Sequence, residues 1–166
     1  MRKHLSVCAY LFFFIALCLS ALGQQNQYVF KHLTTSDGLS NASVNCILQD
    51  HKGFMWFATN EGLNRYDGYE FRVYKNVPGD SLSLSDNKVE SIYQDPQGNL
   101  WVSTSHGLCL YNREQDNFIR NPVQRKTGKA LSYSYVRQVL AVDDDLWITT
   151  LGGGINRYNK IGRAHV

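Results

Sequence analysis

Val44-Asn-Cys-Ile-Leu-Gln-Asp50-His-Lys-Gly53-Phe-Met-Trp56-Phe-Ala-Thr59-Asn-Glu-Gly62-Leu63-Asn-Arg-Tyr66 returns 45 residues later as Val89-Glu-Ser-Ile-Tyr-Gln-Asp95-Pro-Gln-Gly98-Asn-Leu-Trp101-Val-Ser-Thr104-Ser-His-Gly107-Leu108-Cys-Leu-Tyr111. A third copy runs Val136-Arg-Gln-Val-Leu-Ala-Val142-Asp-Asp-Asp145-Leu-Trp147-Ile-Thr-Thr150-Leu-Gly-Gly-Gly154-Ile-Asn-Arg-Tyr158, one residue shorter before its Trp and one longer in its glycine run. Leu39-Ser40, Leu84-Ser85 and Leu131-Ser132 each lead their Val by five residues. Landmarks in register three times over mark a repeat architecture.

Within one unit, Val44–Gln49 predicts a strand and Asp50-His51-Lys52-Gly53 a tight turn. The Asp carboxylate can accept from a backbone N–H two residues on, and the Gly can take a positive φ. Further strands are predicted over Met55–Ala58, Leu63–Tyr66 and Tyr69–Tyr74. Four short antiparallel strands in about 45 residues is the signature of a propeller blade. In Leu100-Trp101-Val102 and Leu146-Trp147-Ile148 both faces of the strand are apolar, so both must be covered, as in a blade pressed between neighbours. Trp56, Trp101 and Trp147 are therefore read as inter-blade packing residues. Asp50, Asp95, Gly53, Gly98, Gly62 and Gly107 are read as turn residues. The expected fold is all-β: about three four-stranded antiparallel blades of an incomplete β-propeller, since a ring needs roughly four to eight. The expected segments are a closing strand and lead-in over 24–43, with its lone strand at Tyr28–Leu33, then blades over 44–83, 84–130 and, in part, 131–160. Residues 161–166 match no blade and read as an artefactual tail.

The chain opens with Arg2 and Lys3, an apolar run to Leu22, and small residues at Ala21 and Gly23 before a polar Gln-rich stretch. This layout predicts a signal peptide over 1–23. The alternative is an uncleaved anchor, but Val7–Leu19 is only 13 residues, against about 20 for a bilayer span. A lipoprotein signal is disfavoured by Leu17 before Cys18. Removing 1–23 leaves 15 basic against 14 acidic residues, so no basic stripe for nucleic acid remains. Cys46 and Cys109 occupy different repeat positions and are expected as separate, half-buried thiols.

The chemistry that other motifs suggest is weak. Asp143-Asp144-Asp145 lacks the spaced oxygens of a calcium loop and reads as a solvated turn. Gly152-Gly153-Gly154 has no Lys-Ser/Thr after it and reads as a blade loop. The histidines show no metal spacing. Asn41-Ala42-Ser43 matches a glycosylation sequon and reads as a polar turn. No catalytic residue, metal or cofactor is expected. In an up-and-down blade the loops alternate between ends. The Leu-Ser connectors and Thr-x-x-Gly loops then share one end, with Asn41, Asn60, Glu61, Asp86, Asn87, Ser105, His106 and Tyr133. Such amides, carboxylates and an aromatic suit carbohydrate hydroxyls, and this end is the candidate ligand site.

Phe30-Lys-His-Leu-Thr-Thr-Ser-Asp37-Gly38-Leu39-Ser40-Asn41, followed by Asp50-x-x-Gly53-Phe-Met-Trp56-Phe-Ala-Thr59-x-x-Gly62-Leu63-Asn64-Arg65-Tyr66-Asp67-Gly68, resembles the opening of two-component regulator propellers. These are periplasmic sensor regions of hybrid two-component systems in Bacteroides-like bacteria. The resemblance implies seven-bladed propellers, oligosaccharide sensing, and a parent that is a homodimeric inner-membrane histidine kinase controlling transcription of polysaccharide-use genes. The kinase is not in this stretch: His32 precedes Leu, His51 precedes Lys and His106 precedes Gly, where a phosphoacceptor His is usually followed by an acid. An exported propeller enzyme acting on polysaccharide and a structural interaction scaffold are the rival readings.

Overall fold

The computed structural model describes residues 29–127 and 130–159. Residues 29–32 belong to an N-terminal unit, Met1–His32, and have no regular structure; the second unit is Leu33–Val166. The predicted signal peptide and the tail at 161–166 lie outside the described residues. Of the lone strand predicted at Tyr28–Leu33, residues 29–33 form no ladder, because an isolated strand has no backbone partner to pair with.

The second unit is three antiparallel sheets in sequence order. The first holds β1 (Val44–Gln49), β2 (Met55–Thr59), β3 (Gly62–Tyr66) and β4 (Phe71–Tyr74), paired β1-β2-β3-β4. The second holds β5 (Val89–Gln94), β6 (Leu100–Thr104), β7 (Gly107–Asn112) and β8 (Asn117–Arg120), again in sequence order. The third has three strands, β9 (Val136–Val142), β10 (Asp145–Thr150) and β11 (Gly154–Asn159). A short helix, α1 (Pro122–Thr127), lies between the second and third sheets and has no counterpart after β4. The fourth strand starts at Phe71 rather than Tyr69, since Asp67 Oδ1 captures the amides of Tyr69 (2.8 Å) and Glu70 (2.9 Å) in a turn.

The predicted Asp-x-x-Gly turns form as expected. Gly53 N donates to Asp50 O (2.9 Å) and Lys52 N to Asp50 Oδ1 (2.9 Å), with Gly53 at φ +90°. Asp95 repeats the pattern with Gly98 N (2.8 Å) and Gln97 N (3.1 Å). The second carboxylate oxygen does something the turn does not require. Asp50 Oδ2 accepts from Trp56 Nε1 at 2.8 Å, and Asp95 Oδ2 from Trp101 Nε1 at 3.1 Å. Each hairpin thus satisfies the one polar atom of its own buried tryptophan.

Blades stack face to face. Trp56, Ala58 and Leu63 of the first meet Leu100, Val102, Cys109, Tyr111 and Phe118 of the second in one buried cluster. Trp101 and Leu108 of the second meet Val136, Val139, Leu146, Ile148 and Tyr158 of the third in another. The ring of Tyr111 meets Trp56 edge-on at 5.0 Å, so a tryptophan packs on the tyrosine of the blade that follows it. Covered on both faces, β6 is buried throughout. Trp147 departs from the expectation: it is 37% exposed, with Arg157 5.5 Å over its ring, because no described blade covers its face. Asp145 is also not in a solvated turn. It is buried at the start of β10, accepting from Arg157 Nε (2.7 Å) and Asn159 Nδ2 (2.8 Å), while Asp143 and Asp144 make the exposed turn. Both described cysteines are free thiols; Cys46 is half-buried, but Cys109 is fully buried inside the interface.

Candidate functional site

The first strands of successive blades touch one another, β1 against β5 and β5 against β9, which places them on the inner side where the sheets converge. The connectors before these strands and the turns between second and third strands lie at one end, the connector end. There the repeated residues make a latch. Ser40 Oγ and Thr59 Oγ1 are 2.8 Å apart, Ser85 Oγ and Thr104 Oγ1 2.8 Å, Ser132 Oγ and Thr150 Oγ1 3.4 Å. The threonine hydroxyl in turn donates to the carbonyl of Gly62, Gly107 or Gly154 at 2.8, 2.9 and 3.2 Å. Asn64 and Asn156 amides cap the serines at 2.8 Å each, and in the middle blade Cys109 takes that place, its Sγ 3.2 Å from Ser85 Oγ. This explains the recurring Leu-Ser pairs.

The non-repeating residues of this end are the candidate site. Asp86, Ser105 and His106 come together. His106 Nδ1 lies 2.8 Å from Asp86 Oδ2 and 3.3 Å from Ser105 Oγ. Burial alone would raise the Asp86 carboxyl, but the Lys88 amide, the Ser105 hydroxyl and the His106 ring outweigh it and hold it below the usual carboxylate range. A pocket of about 110 Å³ between the second and third blades is lined in part by His106, Asn121, Val123 and Leu131. The other predicted residues do not join this cluster. Asn41 Oδ1 caps Ser43 N (2.7 Å), Asn87 Oδ1 caps Asn76 N (2.7 Å), and Glu61 lies 3.9 Å from Lys75. Asn60 accepts from Asn45 (3.1 Å), and Tyr133 is exposed. Both serine and aspartate approach the same imidazole nitrogen, so this is no relay for activating a hydroxyl, which needs the two on opposite nitrogens.

A second cluster was not foreseen. In all three blades the residue after the leading Val is skipped by the ladder: the register shifts between Val44 and Cys46, between Val89 and Ser91, and at Thr149/Thr150, opposite Gln138 and Val136. Asn45, Glu90 and Arg137 are therefore β-bulges, which re-aim a side chain. Asn45 Nδ2 reaches across to Val89 O of the next blade at 2.8 Å. Glu90 accepts from Tyr135 Oη at 2.5 Å and pairs with Lys88 (3.2 Å) and Arg137 (3.2 Å). Lys88 Nζ also donates to Tyr135 Oη at 2.8 Å. Burial would raise the Glu90 carboxyl; the Tyr135 hydroxyl and the Lys88 and Arg137 charges reverse this and hold it low. Only the divergence of Asn45, Glu90 and Arg137 at an aligned position hinted at this in the sequence.

Among the described residues no helix is long and apolar enough to cross a membrane, and no group of three or more His, Cys, Asp or Glu side chains is placed to hold a metal. Residues 38–61 and 83–106 match the two component regulator propeller family. The fold is similar to the extracellular domain of a hybrid two-component system from B. thetaiotaomicron, at 32% identity and a TM-score of 0.67, over 81% of this chain and 21% of that one. A second such domain from the same organism is 22% identical with a TM-score of 0.65, over 81% of this chain and 19% of that one, a likeness of fold alone. A curated relative, histidine kinase P4 of Formosa agariphila, is 48% identical over 75 residues, 45% of this chain and 5% of the kinase. The chain thus spans about a fifth of the solved domains and a twentieth of the kinase it matches. The match to the two component regulator propeller model thus falls on the first two blades, and residues 131–159 add a three-stranded sheet with the same Ser–Thr latch.

Proposed function

We propose that this chain is a ligand-sensing propeller segment of a two-component histidine kinase, exported to the periplasm and responsive to oligosaccharides. The parent would be a dimeric inner-membrane protein that relays occupancy to transcription of polysaccharide-use genes. The observation that carries the reading is the split between repeated and non-repeated residues. Tryptophans, turn aspartates and Ser–Thr latches recur and build the frame, whereas Asp86, Ser105 and His106 occur in one blade only and sit together at the connector end. Hydroxyl, imidazole and carboxylate side by side offer the mixed donors and acceptors that sugar hydroxyls pair with. The similarity to an extracellular domain of a hybrid two-component system supports the same reading.

The rival enzyme reading asks for an acid at a non-repeating place on the inner strands. Glu90 is in such a place, but its side chain is only 9% exposed and is held between two cations that keep it ionised. That suits a fixed counter-ion rather than a proton donor. Calorimetry of the complete extracytoplasmic region of the gene product against a panel of oligosaccharides tests the proposal. Saturable heat with one glycan class, and intact glycan recovered afterwards, is the expected result. Cleaved glycan supports the enzyme, and no heat with any glycan together with a captured protein partner supports the scaffold.

A further inference from the structure

We infer that the bulged residues at the inner mouth of the connector end, Asn45, Glu90 and Arg137, together with Lys88 and Tyr135, form a subsite for the negatively charged group of an acidic sugar, a uronate carboxylate or a sulfate ester. This deepens the oligosaccharide-sensing reading and rests on it.

Three observations carry the inference. The first is position: these residues head the first strands, which converge where the blades meet. The second is the bulge itself, which recurs in every blade while its residue changes from amide to carboxylate to guanidinium. The ladder keeps the bulge whatever side chain it carries, so the chemistry at this position is free to differ from blade to blade. The third is the layering of charge. Glu90 is the enclosed member, its side chain 9% exposed, whereas Lys88 is 46% and Arg137 52% exposed. Two cations thus face solvent above one buried carboxylate, leaving an excess positive charge outward. The Tyr135 ring holds both in place, with Lys88 Nζ 5.3 Å and the Arg137 guanidinium 5.5 Å from its centroid. The nearby Asp86 carboxylate turns to the Lys88 amide at 2.7 Å and to His106 at 2.8 Å, and makes no ion pair with either cation. A guanidinium beside an ammonium, already oriented, suits a planar carboxylate or a sulfate.

The test uses the complete extracytoplasmic region and two matched probe pairs: tetragalacturonate with its methyl ester, and a sulfated galactan tetrasaccharide with its desulfated form. The charged member of one pair is expected to bind at least about tenfold more tightly than its neutral partner, with the preference shrinking as salt rises. Which pair shows it separates carboxylate from sulfate. Arg137→Gln and Lys88→Gln should each weaken the charged probe about tenfold and leave the neutral one unchanged. Arg137→Lys, which keeps the charge, should retain most of the binding. Lys88 is half exposed, so its variant reports even where Arg137→Gln lowers the melting temperature. Neutral probes bound as tightly as charged ones, or charged binding unchanged in both Gln variants, overturns the subsite and leaves the sensor reading standing. No binding of any sugar overturns both.

Discussion

At the scale of single residues, the turn aspartates carry more than a turn. Asp50 closes its hairpin with one oxygen; the other holds Trp56 Nε1 and, at 2.9 Å, the guanidinium of Arg113 from the next blade. Its side chain has no solvent exposure. Asp50→Ala therefore leaves an indole N–H and a guanidinium without their acceptor, and should lower stability by about 3 kcal/mol in denaturant unfolding of the complete propeller region. The same geometry sets a pH dependence. Burial works to raise the Asp50 carboxyl, yet Trp56, Arg113 and the Lys52 amide bring it below the usual range. At Asp116 the hydroxyls of Tyr111 and Tyr74 and the charges of Arg65 and Arg72 likewise outweigh burial. Because both folded carboxyls bind protons less readily than the unfolded chain, their contribution is complete above the ordinary aspartate value of about 3.9. It is lost as pH falls through the lower folded values. The melting temperature should drop below about pH 4, and Asp50→Asn with Asp116→Asn should flatten that slope. In the sequence, the aspartate was readable as a turn acceptor because its target amides lie two residues on. Its bond to Trp56 was not, since six residues of separation become contact only once β1 and β2 pair.

At the scale of elements, the latches and bulges show which local features a repeat reveals. Leu-Ser pairs and Thr-x-x-Gly loops were visible as recurring text, but their joining by Ser40–Thr59 and Ser85–Thr104 hydrogen bonds needs the sheet. The bulges were not readable as bulges, because Val-x-Cys and Val-x-Ser read equally well as an uninterrupted strand; only the changing residue at that aligned position set it apart. The helix α1 was missed because Pro122–Thr127 falls where the first blade has an irregular connector. The latch loop leads to a ranking of glycines. A Cβ on Gly62, at φ +128°, would come within 2.6 Å of Tyr74 O, whereas one on Gly53, at φ +90°, would meet nothing within 4 Å. Gly53→Ala should cost about 1 kcal/mol from backbone conformation alone. Gly62→Ala should exceed about 2 kcal/mol, since strand β4 must also move. Equal losses in chemical denaturation would show that strand β4 yields to the added methyl group at no cost.

At the scale of the whole molecule, blade stacking was legible because alternation fails in the second strands: Leu100-Trp101-Val102 has no polar face. The same logic accounts for the unequal tryptophans, Trp56 and Trp101 lying between blades and Trp147 on a face that no described blade covers, with Ile155 also exposed. Residues 33–159 expressed by themselves should self-associate with rising concentration in sedimentation velocity, and Trp147→Lys with Ile155→Lys should reduce it. A sharp cooperative melt of a monomer would contradict this. The candidate site was far less legible than the frame, because the residues proposed for it are those that do not repeat, and one sequence gives no way to tell such a residue from an idle surface position. Loop parity alone places His106 and Asp86 at one end, while the contacts among Glu90, Tyr135 and Arg137 needed the pairing of strands from two blades. The recurring bulge has an evolutionary corollary. Since the skipped residue contributes nothing to the ladder on either side, each blade carries one inward-facing letter that can be exchanged by a single codon change without rewriting the sheet. The chemistry of the inner rim can thus diverge one blade at a time while the frame stays unchanged.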